Sequence, residues 1–85
     1  MAHFFFHTED GRAIADDEGL DLATLAEARI EAVRVLGDIL RENPQEVLDT
    51  GELRLTVTDG SGLVYFALDL SATDAAAGQV RRQGG

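Results

Sequence analysis

The spacing of apolar side chains changes period twice along this chain, and that double change leaves few folds open. Phe4 and Phe6 alternate with His3, Phe5 and His7 at the two-residue period of a strand. Leu25, Ala28, Ala32, Val35, Leu36 and Ile39 then recur at steps of three and four, as one face of a helix does, opposite a charged stripe of Glu27, Glu31, Arg34, Asp38 and Arg41. From Leu53 the step is two again, through Leu55 and Val57.

The residues between these segments agree with the periods. Asp10-Gly11 favours the positive φ angles of a tight hairpin, so a return strand is expected at about Arg12 to Ala15. Asp16 to Ala23 reads as an acidic loop. Thr24-Leu25-Ala26-Glu27 fits a capping box, in which the threonine oxygen accepts a backbone N–H and the glutamate reaches back, so the helix starts at Leu25. Asn43-Pro44 ends it, because proline has no N–H and disfavours helical geometry in the residue before it, and Pro44 to Leu48 has room for one further turn. Asp59-Gly60-Ser61-Gly62 turns the chain into a last strand, Leu63 to Leu70, with Val64, Phe66, Leu68 and Leu70 on one face. The expectation is an α+β protein: a single small domain, β-β-α-β-β, residues 1–70, its antiparallel sheet covered on one face by one helix. The order of strands is not readable. Residues 71–85 contain four alanines, three glycines and a single sizeable apolar residue, Val80, and are expected to form a flexible tail.

With 85 residues the core is thin, and with no cysteine neither a disulfide nor a zinc cluster can reinforce it, which raises the expectation of self-association. No basic segment precedes a long apolar run and no stretch is apolar enough to span a bilayer, so neither a signal peptide nor a membrane partner is expected and the cytoplasm is the expected address. The net charge of −9 is concentrated between Glu9 and Glu52, where thirteen acids face four arginines. Nucleic acid is therefore not expected as a partner.

The ordered series Phe4-Phe5-Phe6-His7, Asp10-Gly11, Asp17-Glu18-Gly19, Leu22, Ala28-Arg29-Ile30-Glu31-Ala32 and Leu55-Thr56-Val57-Thr58-Asp59-Gly60 resembles a family of short bacterial proteins, often alphaproteobacterial, classed as a domain of unknown function. The resemblance runs from Phe4 to about Leu70, with phenylalanine where members commonly carry tyrosine, and it implies no activity. More distantly, a hairpin leading through an acidic loop into an alanine-rich helix is similar to the HicB-type antitoxins. That likeness implies an alternative role, an acidic inhibitor of a basic partner.

No residue pattern specifies catalysis, a cofactor or a metal. Four strand residues at about 3.3 Å each hold His3 and His7 too far apart to share one ion. Asp16-Asp17-Glu18-Gly19 departs from the calcium-loop pattern at Leu20 and lacks its closing glutamate. Asp59-Gly60-Ser61-Gly62 is flanked by strands and has no following helix or lysine, so it is a turn and not a phosphate cradle. Gly84-Gly85 resembles the end of ubiquitin-like and sulfur-carrier proteins, a further alternative. The strand alternation instead turns His3, Phe5, His7, Arg54, Thr56, Leu63 and Tyr65 away from the helix. Phe5 and Tyr65, with Leu63, would form an apolar patch rimmed by His3, His7 and Arg54. The reading is a non-enzymatic protein–protein interaction module whose partner is a protein, a second copy in a homodimer being one candidate.

Overall fold

The computed structural model describes residues 2–75. Five strands and two helices follow in the order β1 (Ala2–Glu9), β2 (Ala13–Ile14), β3 (Leu20–Leu22), α1 (Leu25–Glu42), α2 (Pro44–Thr50), β4 (Glu52–Thr58) and β5 (Val64–Ser71). All pairings are antiparallel: β4 lies between β1 and β5, while β2 and β3 share the other side of β1. The α+β class expected from the periods is the one observed. The Gly84-Gly85 end and most of the proposed tail lie outside the described residues. Among those residues no helix is long and apolar enough to cross a membrane.

Local chemistry explains the elements. Thr24 has extended backbone and its hydroxyl accepts the Glu27 N–H at 3.1 Å, while the Glu27 carboxylate accepts the Ala23 N–H at 2.9 Å. Such a cap is worth about 1 kcal/mol. Asn43 closes α1, and Pro44 opens α2 in the first turn, where a missing N–H removes no intrahelical bond. The expected extra turn is thus a helix of its own.

Phe4, Phe6, Leu55 and Val57 face α1, as the alternation requires, and Ala28 and Ala32 are fully buried against them. Their small side chains let the helix sit close to the sheet. Leu55 and Val57 are also fully buried, each contributing about 1.5–3 kcal/mol by leaving water. Val35, Leu36, Phe66 and Leu68 border this core.

Three departures from the sequence expectation have physical causes. The first hairpin has a three-residue loop, Glu9 pairing with Ala13, in which only Gly11 takes positive φ (+97°), so Asp10-Gly11 does not form the two-residue turn. Second, the acidic loop contains a strand: Leu20–Leu22 runs back along Ala2–Phe4. Third, the pairing of β4 with β5 shifts between Val57 and Thr58, where Phe66 is followed by Val64 as the next partner. That bulge exchanges the faces of two residues. Val64, expected beneath the helix, stands opposite Thr58 on the outer face, and Tyr65, expected outside, meets Phe4 edge-on at 5.7 Å between ring centroids.

Candidate functional site

Both helices lie on the Phe4 face, so the site centres on the opposite, bare face of the sheet. Phe5 lies at its middle. The His3 ring meets Phe5 edge-on at 4.9 Å between centroids, and the His7 ring is parallel to it at 6.3 Å. Across the sheet the Phe5 row continues through Thr58 to Val64, and the next row runs His7, Thr56, Ala67. The third row is Glu9, Arg54 and Asp69, where the Arg54 guanidinium holds both Asp69 carboxylate oxygens, at 2.7 and 3.1 Å.

The loop that follows β2 stitches this face to the edge of β1. Between β2 and β3, the stretch Phe5–His7 has no strand neighbour on that side. An N–H left facing such a gap is costly unless another acceptor is found. Asp16 supplies it: one carboxylate oxygen accepts the Phe6 N–H at 3.1 Å and the other accepts those of Glu18 and Gly19, at 3.0 and 3.1 Å. Burial pushes its carboxyl upward, but the three N–H donors outweigh burial and hold it below the usual carboxylate range.

The two histidines serve the same stitching in different states. His7 Nδ1 accepts the Asp16 N–H at 3.0 Å, so the ring's hydrogen is on Nε2, which donates to the Thr58 hydroxyl at 3.0 Å; that hydroxyl donates in turn to the Asp59 carbonyl. The chain of donors is complete with a neutral ring. His3 differs. Its Nδ1 donates to the Asp21 carboxylate at 2.5 Å and its Nε2 to the Glu18 carbonyl at 2.6 Å, and two acceptors require two N–H groups. The Asp21 hydrogen bond, followed by the one to Glu18, raises the His3 pKa above 6.5. Gly19 closes the assembly: it has φ of +71°, and a Cβ there would sit 2.5 Å from His3 Nε2 and 2.8 Å from the Phe4 carbonyl oxygen.

A shallow recess of about 320 Å³ opens beside Phe5 and His7, lined by Asp16, Thr58 and the Asp59–Gly62 turn. The Asp59 carboxylate accepts the Ser61 hydroxyl and the N–H groups of Ser61 and Leu63, so it is engaged in holding the turn. Among the described residues, no three His, Asp or Glu side chains gather as a metal site.

The expected site residues divide accordingly. His3, Phe5 and His7 come together as one aromatic line along β1. Arg54 shares the outer face but lies two rows from Phe5, paired with Asp69. Leu63 is exposed in the turn, and Tyr65 belongs to the helix side, so the proposed Phe5–Leu63–Tyr65 patch is not formed. Val64 replaces Tyr65 there. Thr58 and Asp16 were missed; Thr58 is 5% exposed despite facing outward, and its hydroxyl is bonded to His7. An acidic run such as Asp16-Asp17-Glu18 gives no sign of which carboxylate turns inward.

A family model described as "Domain of unknown function (DUF6894)" matches residues 3–71, most of the chain, and the protein belongs to that family. Comparisons with curated proteins and with solved structures found no match.

Proposed function

We propose that this member of the family is a non-enzymatic interaction module that acts by self-association. One observation carries the reading: β5 offers a long strand edge that no described residue pairs. Eight residues, Val64–Ser71, border the sheet with β4 on one side only. Natural edges are commonly blunted by proline, lysine or short length. This one has neither proline nor lysine, its bulge at Tyr65 is confined to the start of the strand, and its single charge, Asp69, is taken up by Arg54. A second copy can extend the sheet there through backbone hydrogen bonds.

The bare Phe5 face supports the same reading as a flank of that edge, with Val64, 56% exposed, at the junction of the two. Two differently tagged copies expressed together provide the test. Self-association predicts that one tag retrieves the other and that the purified chain sediments above monomer mass at high micromolar concentration. A monomer under those conditions overturns it.

A further inference from the structure

The backbone of the β5 edge can be followed group by group from a hydrogen bond on the far side of the sheet. The Phe6 N–H reaches the Asp16 carboxylate, so at Phe6 the backbone of β1 points away from β4. In an antiparallel ladder, residues alternate between exchanging both bonds with their partner and turning both groups away. Val57, opposite Phe6, therefore turns its N–H and C=O toward β5, as do Leu55 and Leu53 at two-residue steps, where they meet Phe66, Leu68 and Leu70. The alternate residues, Ala67, Asp69 and Ser71, direct theirs off the edge, and no described strand receives them.

Side chains alternate in step. Phe66, Leu68 and Leu70 stand on the helix side, opposite the buried Val57, Leu55 and Leu53, yet are only half-buried themselves. Ala67, Asp69 and Ser71 are exposed on the outer face. Around Leu68 this pattern is self-complementary: one apolar residue follows on either side at the same spacing.

We propose that the β5 strands of two copies pair antiparallel about a two-fold axis at Leu68. The inference rests on the self-association reading and names its register and its limit. Two-fold pairing must join outward-facing residues to outward-facing residues. Centred on Leu68, it sets Ala67 of each copy against Asp69 of the other, Leu68 against Leu68, and Phe66 against Leu70. Centred on Ala67, it sets Asp69 against the bulge at Tyr65, where the ladder is irregular. Centred on Asp69, it places like charges directly opposite, which is destabilising, and it carries Phe66 past the end of the facing strand, as every register farther along does. Growth stops at two chains, because the pairing uses the β5 edge of both copies and the β1 side is filled by β2, β3 and Asp16.

The absence of cysteine makes cross-linking a direct test. At the axis, Leu68 faces its own copy in a non-bonded pair, with Cα atoms about 4.5 Å apart and within disulfide range, whereas the two Asp69 residues are offset along the strands beyond about 7 Å. Full-length Leu68→Cys is expected to form a disulfide-linked dimer on mild oxidation and Asp69→Cys to stay uncross-linked, with circular dichroism checking the fold of each. In sedimentation, Ala67→Asp should raise the dimer dissociation constant about fivefold or more by facing Asp69 of the second copy, and adding Asp69→Ala should reverse this. Cross-linking at Asp69→Cys instead, or at neither position in a chain that sediments as a dimer, overturns the register and leaves self-association standing. So does a dimer indifferent to Ala67→Asp. A wild-type monomer at high micromolar concentration overturns both.

Discussion

The two long sides of the sheet are finished in opposite ways. On the β1 side the neighbouring strand is broken into β2 and β3, and the gap is filled by side chains: Asp16 on the Phe6 N–H, His7 on the Asp16 N–H, His3 on Asp21 and Glu18. On the β5 side eight residues run as one strand, bulged at Tyr65 near its start, and no described residue caps them. A small domain must satisfy edge backbone groups or expose them. This one closes the first edge with hydrogen bonds specific to its own loop and leaves the second in the general form that another strand can read.

If the comparison holds, substitutions on the first side should cost stability and those on the second should cost association. The largest stability effect is expected from Asp16→Ala, which strips the acceptor from three N–H groups at once; a loss of about 2 kcal/mol or more is predicted from urea unfolding. Gly19→Ala follows, at about 1–2 kcal/mol in thermal unfolding, because its backbone is left-handed and a Cβ collides with His3 and the Phe4 carbonyl. His7→Ala should cost about 1 kcal/mol by breaking the relay from Asp16 to Thr58. Val64→Lys, on the open edge, is expected to stay within about 0.5 kcal/mol of wild type in unfolding while weakening self-association.

The pH dependence separates the stitches further. The His3 pKa is raised above 6.5, so its contribution is complete below that value and is lost as pH rises through the higher folded value. Amides of β3 should then exchange faster in mildly alkaline solution than in mildly acid solution, after correction for intrinsic exchange rates. The Asp16 carboxyl is held below 3.8, so its contribution is present above that value and is lost as pH falls through the folded value. Replacing His3 with Gln should abolish the alkaline effect and leave the acid one.

The parts of this architecture legible in the sequence are those set by near neighbours. Period gave away β1, α1 and β4, and the Thr24–Glu27 cap and Pro44 announce their own helix ends, because each acts over a few residues. The bulge at Val57/Thr58 depends on the match between two strands, so the alternation within Val64–Ser71 placed Tyr65 on the wrong face. Leu20-Asp21-Leu22 does alternate, but so short a segment is a strand only because β1 is there to receive it. For the candidate site, counting along one strand places His3, Phe5 and His7 together on the outer face, as observed. Asp16 and Thr58 owe their roles to partners ten and fifty-one residues away, a distance at which local pattern has no voice.

The most direct test of the contrast is amide hydrogen exchange of the wild-type chain at low and high protein concentration. The account predicts that slowing with concentration is confined to β5, with the Phe6 amide of β1 protected equally at both. Slowing centred on β2 and β3, with β5 unchanged, would contradict it.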